Sequence, residues 1–237
     1  MKSYLKRMRQ KVEKDLHGSR RWQFFSPAIL AQYRVMLPIL QQHARGALLD
    51  IGCGNQPYRP FVEANLTRYD GVDAFNSSPV VNFRLDAEDL QGIPAESYDT
   101  AILIEVLEHL PHPWLALAEA WRVLKPGGVV VISVPHLSRL HDLPHDYYRF
   151  TSPGLIRLMA EAGFSNVEIT PKGGIFSFLG HQVSTFWVTV TWGIPFLREV
   201  VFFLNEWLVS RPCLALDRIF GQGGLTPLGY VAVGRKP

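Results

Sequence analysis

The stretch "ALLDIGCGNQPY" (47–58) restricts the chain more tightly than any other, because an apolar run ends in Asp50 and then gives up its side chains at Gly52 and Gly54. Glycine lets the backbone turn with φ > 0 and lets a ligand lie directly against the main chain, so the pattern predicts a pocket for a nucleotide-type ligand. Pro57 stands where the third glycine of a G-x-G-x-x-G dinucleotide fingerprint would be. That substitution argues against a nicotinamide-dependent oxidoreductase.

Around this turn the chain alternates. Strand-like runs lie at 47–51, 69–73, 81–85, 98–104 and 129–134, with a sixth near 166–170 and a seventh in "GYVAVGRK". Helical patterns fall at Pro27 to Gln42, at 113–124 with Pro113 in the first turn and "KPGG" as the stop, and from Ser152, read as an N-cap, to Gly163. Strands such as "TAILI" and "VVVISV" are apolar on both faces, which suits a sheet covered on both sides by crossover helices. The expectation is an α/β doubly wound fold, a seven-stranded, mostly parallel, Rossmann-like sheet. With 237 residues, 47% of them hydrophobic, the chain can bury such a core.

In an open sheet of this kind the ligand sits beyond the carboxyl ends of the strands, where acids matter. Asp73 closes "YDGVD", 19 residues after Gly54, and suits the two hydroxyls of a ribose; Asp86, in "FRLDAEDL", suits an exocyclic adenine amine. Two acids at successive strand ends point to one nucleoside.

The segments "LLDIGCGNQPY", "YDGVDAF", "LDAEDL", "YDTAILIEVLEHL" and "WRVLKPGGVVVISVP" resemble, in order and spacing, the class I S-adenosylmethionine-dependent methyltransferases of the type 11 kind, over residues 45–171 and again at 228–235. The resemblance implies S-adenosylmethionine as cofactor, with the turn Gly52, Cys53 and Gly54 at its methionine end. It further implies that Asp50 orients the turn or the amino group, Asp73 and Ala74 hold the ribose, Asp86 and Ala87 meet the adenine, and Glu105 and Leu107 lie beside the sulfonium. Methyl transfer from a sulfonium needs little covalent help, so positioning a nucleophile and removing its proton is most of the task.

The segment "EVLEHLPHP" places Glu105, Glu108 and His109 at i, i+3 and i+4, one face of a helix. It is similar to Glu-x-x-Glu-His segments that hold a divalent ion in small-RNA 2′-O-methyltransferases and ubiquinone-pathway O-methyltransferases, where His141 or His145 would complete the set. Metal-free relatives use the same segment for packing, and the expectation is no metal. The loop "VPHLSRLHDLPHDYYRFTSPGL" (134–155) should hang over the acceptor side. Its His145, His141 and Tyr147 are the candidate catalytic groups, His145 first as general base, with Arg149 pairing Asp146 as the structural alternative. Similar "D-Y-x-R-F-T" loops occur in methyltransferases encoded among bacterial surface-glycan and lipid-modification enzymes.

Between the sixth and seventh strands the chain inserts about 56 residues, of which Gly173 to Leu197 carry no formal charge. The organisation expected is an N-terminal basic, amphipathic segment (1–44), a methyltransferase domain (45–172 and 228–237) and a hydrophobic helical insertion (173–227). The insertion is interrupted by Gly180, Gly193 and Pro195 and must return to the side it left, so it reads as an acceptor lid, a homodimer contact or a membrane-interface element and not as a span. Eight Lys or Arg among the first 21 residues suit a solvated helix or an anionic membrane surface. The net charge of +3 is too small to require nucleic acid, and two unspaced cysteines with no secretory signal suit the cytoplasm. The expected acceptor is a small-molecule, glycan or lipid-linked hydroxyl. The alternatives are a metal-assisted RNA 2′-O-methyltransferase and a non-enzymatic membrane-surface protein on a degenerate fold.

Overall fold

The computed structural model describes residues 2–16, 19, 21–76, 78–220 and 226–237. Arg20 of the basic run and 221–225 of the insertion lie outside the described residues. In chain order the main elements are α1 (Lys2–Leu16), α2 (Pro27–His43), β1 (Gly46–Ile51), α3 (Arg59–Val62), β2 (Leu66–Val72), β3 (Tyr98–Ile104), α4 (Pro113–Val123), β4 (Leu124–Pro135), α5 (Ser152–Glu161), β5 (Ser165–Lys172), α6 (Ile175–Thr191), α7 (Pro195–Asn205), a π-helical turn (Glu206–Ser210), α8 (Arg211–Phe220) and β6 (Gly229–Arg235). They form two compact units, Met36–Pro171 with Gly229–Pro237, and Met1–Val35 with Lys172–Leu228.

The first unit holds a six-stranded sheet in the order β2-β1-β3-β4-β6-β5. Strands β2, β1, β3 and β4 are mutually parallel and β6 runs antiparallel to β4. The chain enters at β1, moves outward to β2 and then crosses back to β3, so the direction of winding reverses between β1 and β3. That switch point is where ligands enter folds of this type. In register, Asp50 of β1 lies between Gly71 and Ile102, which brings the carboxyl ends of three strands together. Leu48, Leu49, Ile51, Val130, Val131 and Ile132 are all fully buried, as strands covered on both faces must be. Each such side chain contributes about 1.5–3 kcal/mol.

The expected strand at 81–85 does not form. The amides of Asn82 and Phe83 both donate to the Gly71 carbonyl, and the Gly71 amide turns to the Asn82 side chain at 2.8 Å in place of a backbone acceptor. The ladder is cut to a single bridge between Val72 and Phe83, leaving six strands where seven are expected. Two helix ends also differ. Thr151, whose Oγ1 accepts from the Gly154 amide, caps α5 in place of Ser152. The "KPGG" segment belongs to β4, which begins directly where α4 stops.

The second unit is helical. The Leu228 amide donates to the Lys172 carbonyl at 2.9 Å, so the insertion leaves and returns at one point. Val12, Leu16, Phe25, Val188, Trp192 and Phe202 form one of its cores, tying α1 to α6 and α7. Along 196–208, Phe196, Val200, Phe203 and Trp207 face outward while Phe202 and Asn205 face inward. Asn205 is buried because its Nδ2 donates to the carbonyls of Phe24 and Phe25. Among the described residues no helix is long and apolar enough to cross a membrane.

Candidate active site

The glycine turn is held by the end of β2. The amides of Gly52 and Cys53 donate to the Val72 carbonyl, and the Gly54 amide donates to Asp73 Oδ2 at 3.0 Å. Both glycines are left-handed, with φ of +73° and +52°. Their surroundings differ. A Cβ on Gly52 would lie 2.4 Å from Val106 Cγ2, whereas nothing lies within 4 Å of one on Gly54. The sequence assigns ligand approach to both, but here Gly52 makes room for Val106 and only Gly54 borders open space. Cys53 is buried, and burial pushes its thiol up to about 12, so it packs and does not react.

Asp73 accepts three backbone hydrogen bonds, from Gly54 to Oδ2 and from Phe75 and Asn76 to Oδ1. A carboxylate has about four acceptor positions, so the residue ties β1's turn to the loop after β2 before any ligand is counted. Asn76 completes the tie by donating from Nδ2 to the Gly54 carbonyl. Asp50 is fully enclosed, receives the Tyr69 hydroxyl at 2.6 Å, and is pushed up to about 7 by burial against the opposing effect of that hydrogen bond. Ala74 and Asp86 are exposed and Ala87 is buried; Asp86 Oδ1 accepts from the Glu88 amide in a local turn.

Glu105, at the end of β3, has φ +55° and accepts from Ser133 Oγ at 2.6 Å. This left-handed residue breaks the expected helix. Only Leu107–His109 make a 3-10 turn, so Glu105 does not share a face with Glu108 and His109. Leu107 is wholly buried core. Glu108 is also wholly buried, with His109 Nε2 at 3.7 Å and His141 Nε2 at 3.9 Å from its Oε1. His109 Nδ1 lies 2.6 Å from the His145 carbonyl and His141 Nδ1 lies 3.2 Å from the Arg139 carbonyl. A carbonyl only accepts, so both rings carry a proton on Nδ1 and turn Nε2 toward the carboxylate. Ligand atoms of Glu108, His109 and His141 thus lie within 4.8 Å of one another, a donor set of the kind that takes a divalent cation.

The loop between β4 and α5 is cross-braced. Arg149 pairs Asp146 in a two-pronged bridge of 2.6 and 2.8 Å and also donates to the carbonyls of Arg139 and Tyr148. This bridge holds the Asp146 carboxyl well below the usual carboxylate range. Within the loop His145 Nδ1 lies 3.1 Å from Tyr147 Oη, and both side chains are exposed. His136 Nδ1 is taken by the Phe150 carbonyl. The Phe75 ring, 91% exposed, stacks at 6.3 Å on His145 and so joins the loop that Asp73 organises to the loop that carries the candidate base. Phe75, Asn76, Tyr69 and Val106 escape a reading of the sequence. Only Asn76, a short polar residue after a strand-end aspartate, carries a local signal of its turn role.

A glycine turn at the switch point of a doubly wound sheet, an acid after β2 and a histidine-rich loop after β4 define the class of S-adenosylmethionine-dependent methyltransferases. Solved structures share the architecture: an S-adenosylmethionine-dependent methyltransferase from Archaeoglobus fulgidus superposes with a TM-score of 0.58 at 20% identity, covering 96% of this chain and 98% of that one. Phosphoethanolamine N-methyltransferase 2 of Haemonchus contortus, solved with S-adenosylmethionine, superposes with a TM-score of 0.55 at 15% identity, over 97% and 60% of the two chains. The chain belongs to the methyltransferase-domain family, whose model matches residues 25–169. Ubiquinone biosynthesis O-methyltransferase of Thiobacillus denitrificans is 28% identical over 155 residues, which is 52% of this chain and 66% of that protein.

Proposed function

We propose that the chain transfers the methyl group of S-adenosylmethionine to a hydroxyl oxygen of a small-molecule, glycan or lipid-linked acceptor, with His145 as general base. The observation that carries the reading is the stack of Phe75 on His145, which sets an imidazole beside the loop that Asp73 ties to the open side of Gly54. A proton on Nδ1, donated to Tyr147 Oη 3.1 Å away, would leave the Nε2 lone pair for the acceptor proton as oxygen attacks the methyl carbon and the sulfonium leaves as a neutral thioether. The resemblance to an O-methyltransferase supports oxygen over nitrogen as the acceptor atom. A cytoplasmic setting belongs to the same reading, supported by Cys53 and Cys213, both free.

Two measurements test it. Incubation of labelled cofactor with lipid, glycan, small-molecule and RNA fractions should label one of the first three; label in RNA alone would overturn the acceptor class. His145→Ala should lower turnover about 100-fold with cofactor affinity unchanged. Unchanged turnover would pass the role to His141 or His136.

A second reading concerns a metal. The convergence of Glu108, His109 and His141 supports a divalent cation held by those three side chains, which would lower the pKa of a bound acceptor hydroxyl. Chelation should then abolish turnover, Mg²⁺ or Mn²⁺ should restore it, and Glu108→Gln should remove the restoration. Activity indifferent to chelator would reduce the three residues to packing of the turn after β3.

A further inference from the structure

In the second unit, helices α6 and α7 turn large apolar side chains outward while part of what they bury is small or polar. Helix α6 buries Ser177, Gly180, Ser184, Thr189 and Thr191 beside the core residue Val188, and exposes Leu179, Val183, Phe186 and Trp187. Helix α7 and the turn after it bury Asn205 and Ser210 beside the core residue Phe202, and expose Phe196, Val200, Phe203 and Trp207. A helix packed on an aqueous protein shows the reverse arrangement. A Cβ on Gly180 would lie 2.6 Å from Cys213 Sγ, so small residues bring α6 and α8 together while large apolar ones point away, the packing rule of helices surrounded by lipid. Of the 23 large apolar residues exposed among the described residues, 15 lie between Ile175 and Phe220, so the patch is concentrated and not scattered.

Charge in this unit is also sorted. The acids of α7, of the π-helical turn after it and of α8 are engaged within it: Glu199 with Arg21 at 2.7 Å, Glu206 with Arg211 at 2.6 Å, and Asp217 with the amides of Phe176 and Ser177. Helix α1 buries Met8, Val12 and Leu16 and exposes Lys6, Arg7, Arg9, Lys11 and Lys14. Its Tyr4 hydroxyl donates to the Val190 carbonyl at 3.1 Å, and Tyr4 and Met8 border Gly193. The cationic helix therefore adjoins the exposed turn that carries Ile194 and Phe196, which are 54% and 81% exposed.

We propose that this unit docks on an anionic bilayer surface, with the outward faces of α6, α7 and α8 in the interfacial layer and the α1 cations on lipid phosphates. At 17 residues α6 is too short to cross, so the helices lie in one leaflet. Lipid is the occupant because it supplies apolar surface and negative charge together. A second copy of the chain would bring the same cations to the same face, where these acids are already paired.

The full chain, sedimented with vesicles, tests this independently of the acceptor. It should bind phosphatidylcholine vesicles containing phosphatidylglycerol, and bind pure phosphatidylcholine less. Phe203→Ser with Trp207→Ser should weaken binding to both about tenfold or more, because two exposed aromatic anchors are lost. Lys6→Glu with Lys11→Glu should weaken only the anionic vesicles, also about tenfold or more, and erase the preference between the two. Cofactor affinity, read by calorimetry, should stay at the wild-type value in all variants; if the aromatic pair misfolds, Phe196→Ser serves in its place. No sedimentation with either vesicle would overturn the proposal. So would a dimer in solution that the aromatic substitutions dissociate, since the face would then belong to a second copy.

Discussion

Gly52→Ala should lose about 2–5 kcal/mol of stability, while Gly54→Ala should lose only about 1–2 kcal/mol and surrender cofactor affinity instead. Both positions are left-handed, which costs an L side chain about 1–2 kcal/mol. At Gly52 the new Cβ would also meet Cγ2 of the buried Val106 at 2.4 Å, and overpacking adds about 1–3 kcal/mol. Gly52→Val enlarges the clash. At Gly54 a methyl group meets nothing, so its only further effect is on a ligand lying against the main chain. Denaturant unfolding and calorimetry with S-adenosylmethionine separate the two. Wild-type affinity in Gly54→Ala would show that the cofactor does not approach that turn.

Asp73→Ala should weaken cofactor binding by about 3 kcal/mol, more than a hundredfold, because it removes a charged acceptor from three backbone amides as well as from the ligand. Asp73→Asn gives an intermediate loss. Its amide oxygen can still accept from Phe75 and Asn76, but an NH₂ group then faces the Gly54 amide, donor against donor. If calorimetry finds Asp73→Ala unchanged in affinity while unfolding shows it destabilised, Asp73 is a brace and not a ligand residue.

Much of the first unit is legible in the sequence because its signals are local. A short, β-branched apolar run such as "VVVISV" suits a strand covered on both faces, and an acid followed by Gly52 and Gly54 marks a strand-to-turn junction. The cut strand at 81–85 fails for a reason that periodicity cannot carry: the Asn82 side chain intercepts the Gly71 amide. Glu105 looks helical by spacing until its φ of +55° is known, and that angle comes with its hydrogen bonds to Ser133 across the β3–β4 pair.

The sequence by itself determined the alternation of strands and helices, the glycine turn, the acid that follows β2 and a histidine-rich loop after β4, since each depends on neighbours within a few residues. Tertiary structure alone decided which glycine faces open space, that Asp73 spends its acceptors on amides, and that Glu108, His109 and His141 converge. It alone decided, too, which side of α6 and α7 faces out: helical spacing separates apolar from polar residues, but the choice between inside and outside rests on partners as distant along the chain as Asn205 and Phe25.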